Sequence, residues 1–119
     1  MIPLLLAAAI CIDHVHDGDT LTLCSGEKVR VANIDAPELP GSPRCDLRQL
    51  RGGSNPSWCD YDLGYRSRDA LVAFLSSGQV RIARQGTDRF GRTLATLSVG
   101  GRDAGAYLVG QGYARWWQR

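Results

Sequence analysis

Between Ala9 and Ile34 the chain runs through three short segments of alternating polarity, each closed by a turn signal. AICIDHV (9–15) alternates with period two and is followed by HDGD; TLTLC (20–24) alternates again and is followed by SGE; KVRVANI (28–34) is the third. A period of two puts successive side chains on opposite faces of an extended chain, so each segment reads as a half-buried strand. Segments this short and this tightly joined point to an antiparallel meander. A hairpin centred on Asp17-Gly18 pairs His16 with Asp19, Val15 with Thr20 and, at its open end, Cys11 with Cys24. That register predicts a cross-strand disulfide between Cys11 and Cys24.

Beyond the meander the signals change. Residues 39–62 hold Pro40, Pro43 and Pro56 with the runs GSP and GGS, and read as a long loop. Cys45 and Cys59 lie inside it. A bond between them closes a loop of about 15 residues, which constrains the unfolded chain by roughly 3 kcal/mol. Ala70, Leu71, Phe74 and Leu75 fall on one stripe at helical spacing, which predicts a helix near 64–77 with Gly78 as its stop. QVRIA (79–83) reads as a strand, TDRFGR (87–92) as a charged turn, and TLATLSV (93–99) as a strand ended by Gly100-Gly101. Asp103 can cap a second helix near 103–111 with Gly112 as its stop, and YARWW (113–117) reads as a final strand. The fold class is therefore mainly β with inserted helices (α+β), as a five-stranded Greek-key barrel of the OB type.

The 119 residues suit one domain, taken as 8–119. Residues 1–7 read either as a signal remnant or as a flank of the first strand, and are too short to span a bilayer. The four cysteines form no Cys-x-x-Cys pair, which argues against a zinc ribbon; their even number suits two disulfides and a secreted or periplasmic setting. A net charge of +2 predicts no strong field toward polyanions. The basic residues are nonetheless thirteen arginines and one lysine. Arginine grips phosphate or carboxylate with a planar fork, although a GC-rich genome also yields that ratio.

The acids are placed unusually. One of only two glutamates, Glu38, stands three residues after Asp35 at the end of a buried-looking strand, and Asp19 sits in the first hairpin turn. Crowded acids resist burial unless something positive lies among them. Arg30 interrupts the third strand and Arg92 follows the charged turn, and a barrel can bring all five to one mouth. Two carboxylates then suit a hard cation such as Ca²⁺, a third can act as general base toward water, and two arginines can hold a phosphate. Together they describe metal-assisted phosphodiester hydrolysis.

The segments VHDGDTLTL, RVANIDAPEL, DRFGRTLA and YLVGQGYA, in this order, resemble the staphylococcal nuclease (thermonuclease) family over about residues 12–114. The resemblance implies an OB-type barrel and a Ca²⁺-dependent nuclease that cleaves DNA and RNA with little sequence preference and leaves 3′-phosphates. It implies Asp19, Asp35 and the Ala36 carbonyl as calcium ligands, Glu38 as general base, and Arg30 and Arg92 as phosphate-binding arginines. Arg89 and Phe90 loosely resemble residues of the nucleotide pocket. Nucleic acid is the implied partner; no membrane or obligate protein partner is expected, and the chain reads as a monomer.

There are departures. A cysteine-bearing loop replaces the lysine-rich loop of the best-known member, leaving Arg44, Arg48 and Arg51 either as nucleic-acid contacts or as a solvated face. The chain stops after YARWWQR, where longer members continue into a third helix, so barrel closure or the base-binding side is expected to differ. Trp116 and Trp117 either stack on bases, with Trp116 taken as the substrate-binding one, or close the core, and Trp58 is a base platform or part of a small satellite core. His14 and His16 share a strand face as a metal pair or a plain exposed pair. Asp17 is expected to hold the turn. The competing readings are a catalytically silent OB module that binds nucleic acid or protein, and a disulfide-stapled interaction domain with structural calcium.

Overall fold

The structure, a computed structural model, describes residues 10–45 and 57–117. Residues 1–7, the start of the first expected strand at Ala9, and Arg48 and Arg51 lie outside the described residues. β1 (Ile12–Asp17) and β2 (Thr20–Leu23) form the expected hairpin, and β3 (Lys28–Val31) continues it antiparallel. The turn sits one residue later than expected: Asp17 faces Thr20 across Gly18 and Asp19. Two register shifts in β1, between Ile12 and His14 and between Val15 and Asp17, then bring Ile12 opposite Leu23. Each shift adds a residue to one strand only, as a bulge does. Cys11 and Cys24 therefore meet after all, with Cα atoms 5.3 Å apart, and are bonded.

The third expected strand is two strands. Asn33 takes φ 72°, the left-handed conformation that asparagine tolerates better than most residues. The kink separates β3 from β4 (Ile34–Asp35). Alternation from the buried Val29 and Val31 would have turned Ile34 outward; the kink lets both Ile34 and Asp35 be buried.

α1 (Tyr61–Leu75) is capped by Asp60, whose carboxylate accepts the Leu63 N–H at 3.1 Å. It ends before Gly78, because the Ser76 and Ser77 hydroxyls donate to the carbonyls of Val72 and Phe74 at 2.7 and 2.6 Å. After β5 (Val80–Thr87) and β6 (Thr93–Val99), Gly100 and Gly101, both at positive φ, fold the chain straight back as β7 (Arg102–Asp103), which the sequence had not suggested. α2 (Ala104–Gly110) has the expected cap, Asp103 accepting the Ala106 N–H at 2.8 Å. It also has the expected stop: Gly112 is at φ 80°, and the Tyr113 N–H reaches the Leu108 carbonyl. β8 (Arg115–Trp116) pairs antiparallel with β4, setting Arg115 opposite Asp35.

The main sheet runs β1-β2-β3-β6-β5, with β3 and β6 parallel and β7 added to β6; β4 and β8 form a separate two-stranded sheet. β1 and β5 are the two ends, and among the described residues no pairing joins them. The sheet is thus open, without a strand pairing that closes the expected five-stranded OB-type barrel, and the class is mostly β with two helices. Leu21, Val29, Val31 and Leu97 from the sheet meet Leu71 of α1, Leu108 of α2 and Ile34, all essentially without exposure. Burying each such side chain stabilises by about 1.5–3 kcal/mol. No helix among the described residues is long and apolar enough to cross a membrane.

Candidate active site

The hairpin turn, the kinked β3–β4 segment and the β5–β6 turn open onto one cleft of about 700 Å³. Asp19, Arg30, Glu38, Arg89, Phe90 and Arg92 line it, with Asp35 fully buried beside them. Asp19 is fixed from two directions: Oδ2 accepts the Ala36 N–H at 2.8 Å and Oδ1 accepts the Thr20 hydroxyl at 2.9 Å. The turn can lie this close to α1 because residue 18 is glycine. A Cβ there would strike Ser67 Oγ and stand 2.8 Å from Ala36 Cβ.

Arg30 Nη1 donates to the carbonyls of Val31 and Ile34 at 2.7 and 2.9 Å, which the kink at Asn33 presents to it. Its Nη2 then stands 3.5 Å from Asp19 Oδ2 and 3.9 Å from Asp35 Oδ1. One guanidinium thus sits between two carboxylates. Asp35 is held further by Arg115, whose Nε and Nη2 donate to Oδ2 at 3.0 and 2.8 Å, and by Arg44 Nη1, 3.4 Å from Oδ1. The same Arg44 nitrogen is 3.5 Å from Glu38 Oε2, while Glu38 Oε1 accepts the Ser42 hydroxyl at 2.6 Å. The acids that looked incompatible with burial are therefore interleaved with guanidiniums.

The balance is not complete. Burial raises the Glu38 pKa, with Asp19 and Asp35 adding to the rise and Ser42 and Arg44 opposing it. Asp17 holds the turn as expected, its Oδ1 accepting the Asp19 N–H at 3.0 Å. Burial, then the charge of Asp19, push its carboxyl up to about 8. Both shifts come first from burial and only then from neighbouring carboxylates.

On the facing wall Asp88 organises the β5–β6 turn. Its carboxylate accepts the Phe90 and Arg92 N–H groups at 2.9 and 3.0 Å and Arg92 Nε at 2.8 Å. The guanidiniums of Arg89 and Arg92 lie 4.9 and 5.5 Å from the Phe90 ring, which is 68% exposed. Trp116 is not among the residues lining the cleft; Trp117 is, under the Arg30 guanidinium at 5.6 Å. At 51% and 37% exposure, neither tryptophan closes the core. His14 and His16 make an exposed edge-to-face pair outside the cleft, His16 Nε2 lying 2.8 Å from Thr22 Oγ1.

Sequence reasoning missed Arg115 and the part played by Trp58. The Trp58 ring lies under the Arg115 guanidinium at 5.0 Å, and its carbonyl accepts the Glu38 N–H at 2.8 Å. The one available signal was a single cation inside the aromatic run YARWW. Cys45 and Cys59 are bonded as expected, with Cα atoms 5.8 Å apart.

The donors in the cleft are carboxylate and carbonyl oxygens, the set a hard divalent cation takes. Among the described residues no three acids, imidazoles or thiols already form a ligand cluster. An ion here would rest on Asp19 and Asp35 with backbone carbonyl and water.

An open mixed sheet carrying two helices, with acids and arginines interleaved in one cleft, defines a class: a small α+β domain shaped around a charged ligand. Comparison with known proteins narrows it. The model of the family described as staphylococcal nuclease homologue matches residues 28–119, and the chain belongs to that family. It is 34% identical over 113 residues to endonuclease YhcR of Bacillus subtilis, covering 87% of this chain and 8% of that protein. It is 34% identical over 104 residues to an uncharacterised endonuclease of Haemophilus influenzae, covering 84% of this chain and 47% of that protein. The chain thus spans less than half the length of either relative.

Proposed function

We propose that the chain is a metal-dependent nuclease that hydrolyses phosphodiester bonds in DNA and RNA with little sequence preference and leaves 3′-phosphates. The observation that carries this reading is Arg30, held between Asp19 and Asp35, in a cleft that also holds Glu38 and Arg92. The names of the two relatives, both endonucleases, support it. We read the open strand order, with its parallel β3–β6 pair, as the partly open barrel of the OB type.

In this reading Asp19, Asp35 and the Ala36 carbonyl hold Ca²⁺. Bound there, the ion would supply Lewis-acid stabilisation of charge on the phosphate. Glu38 takes a proton from the attacking water; its raised pKa makes it a stronger base than an exposed glutamate. Arg30 and Arg92 approach the phosphate from opposite walls and stabilise charge growing on its oxygens. Asp88 keeps Arg92 directed by holding its Nε. Phe90 and Trp117 offer faces on which a base can stack, which reads no base edges and so gives little sequence preference. The two disulfides suit an oxidising compartment, and we assign the protein to a secreted or periplasmic setting.

The test is release of acid-soluble nucleotides from denatured DNA, with Ca²⁺ or with excess chelator, by wild type and Arg92→Ala in parallel. Hydrolysis that needs Ca²⁺ and falls at least about a hundredfold in the variant is expected. A well-folded wild type that binds DNA without cutting it would replace the enzyme reading with the binding module.

A further inference from the structure

We propose that the Cys45–Cys59 disulfide is a clasp that positions Asp35 and Glu38, an inference that rests on the hydrolytic reading above. The bond joins two pieces of chain that hold these carboxylates from opposite sides. On one side Cys45 directly follows Arg44. Arg44 Nη1 bridges Asp35 Oδ1 and Glu38 Oε2 at 3.4 and 3.5 Å. The Arg44 N–H donates to Ser42 Oγ at 3.2 Å, and that hydroxyl donates to Glu38 Oε1 at 2.6 Å. The Cys45 N–H closes the turn on the Ser42 carbonyl at 3.0 Å.

On the other side Cys59 directly follows Trp58. The Trp58 carbonyl accepts the Glu38 N–H at 2.8 Å, and its ring supports the Arg115 guanidinium, whose fork grips Asp35 Oδ2. Cys59 in turn precedes Asp60, the cap of α1, so this side is anchored to the core helix. Both carboxylates therefore have a partner that reaches them through residue 44, while residue 58 holds the Asp35 carboxylate through Arg115 and Glu38 by its backbone N–H. The disulfide fixes the distance between those two residues' neighbours. Trp58 and Arg115 act here as positioning residues.

The second disulfide supplies an internal control. Cys11–Cys24 spans 13 residues and Cys45–Cys59 spans 14, so each restricts the unfolded chain nearly equally. Cys11–Cys24 ties the open end of the hairpin, away from the turn that carries Asp19. Removing either bond is expected to lower thermal stability by a similar amount. Only removal of the clasp is expected to disorder the acids.

The experiment compares wild type, Cys11→Ala with Cys24→Ala, Cys45→Ala with Cys59→Ala, and Trp58→Ala, which keeps both bonds. Steady-state hydrolysis of denatured DNA is measured at saturating Ca²⁺, and exchange of the Glu38 amide is measured without metal. Loss of the clasp is expected to lower kcat by roughly 10–100-fold, as loss of a supporting contact does, with KM changed by less than about threefold. Glu38 amide exchange accelerates in parallel; Trp58→Ala, which keeps the residue-58 carbonyl and loses only the ring under Arg115, lowers kcat while Glu38 protection holds. The hairpin pair keeps wild-type kcat and wild-type Glu38 protection. Equal loss in both cysteine pairs, or full activity and Glu38 protection without the clasp, would overturn the proposal. If wild type itself fails to hydrolyse DNA, the nuclease reading falls, and the Glu38 amide comparison still decides the clasp.

Discussion

Replacing Gly64 with alanine sets two physical effects against each other. Gly64 lies in the first turns of α1, where alanine is better than glycine by about 1 kcal/mol of helix propensity. Considered as a helix position alone, the change should stabilise. The packing says otherwise. A Cβ at this position would run into the Glu38 carbonyl oxygen, with the Glu38 carbonyl carbon and Leu39 Cδ2 both at 3.1 Å. Two of these obstacles are backbone atoms, which cannot rotate aside as the end of a side chain can. Overpacking of this kind costs about 1–3 kcal/mol, and backbone obstacles place it in the upper half. Subtracting the helix gain leaves a net loss of about 1–2 kcal/mol, or a drop in Tm of roughly 4–8 °C for a domain of this size. The displaced backbone is that of the proposed general base, so hydrolysis should fall by more than stability. A misplacement near 1 Å can cost about a hundredfold. Gly110→Ala is the matched control: its Cβ would meet nothing within 4 Å, so only the propensity gain remains. Melting curves by circular dichroism and nucleotide release decide the matter. If Gly64→Ala raises Tm as Gly110→Ala does and leaves hydrolysis intact, the close approach of α1 to Glu38 is wrong.

Glu38→Gln should lower turnover by about 10²–10⁴-fold while the melting temperature holds, since burial already disfavours the charged form; unchanged turnover would exclude Glu38 as base. Asp35→Ala should destabilise by about 3 kcal/mol in urea unfolding, because it leaves Arg30, Arg44 and Arg115 facing one another without their shared carboxylate. In chelator, the folded-state carboxyl of Asp17 is raised to about 8, so the stability it contributes is present below pH 4 and lost as pH rises through 8. Asp17→Asn should flatten that part of the stability–pH curve. Glu27 has the opposite sign. Hydrogen bonds from Arg84, then Thr93, lower it to about 2, so its small, partly solvent-screened contribution is present above pH 4.5 and lost as pH falls through 2. Glu27→Gln should weaken acid dependence only in that window.

The local alternations were legible because each reports on one face of one strand: Leu21 and Leu23, Val29 and Val31, Ala95 and Leu97 all point inward as the period of two required. Caps and stops at Asp103 and Gly112 were legible for the same reason, being decided within a few residues. The Cys11–Cys24 pairing was reached through an inexact register. Placing the turn one residue early shifts every pair by two positions, and the two irregularities in β1 take those two positions back before the cysteines. Bulges carry little signature in one strand read alone. The kink at Asn33 had a signal, an asparagine at the expected strand end, but its consequence for Asp35 depended on β8 arriving from far along the chain. Arg115 and Trp58 were opaque for that reason: they join the site through contacts between residues 80, 57 and 20 positions apart. Choosing Trp116 over Trp117 was a matter of phase in a two-residue strand, too short for alternation to set.

Among the described residues the open sheet ends in two edge strands, and both carry irregular backbone. β1 bears its two register shifts along with Asp13, His14 and His16, and β5 bears one between Arg84 and Gly86. A strand from a second molecule could align with part of either edge, but would fall out of step within a few residues. The same insertions that bring Cys11 to Cys24 therefore break the register that a neighbouring strand would need along the open edge of β1.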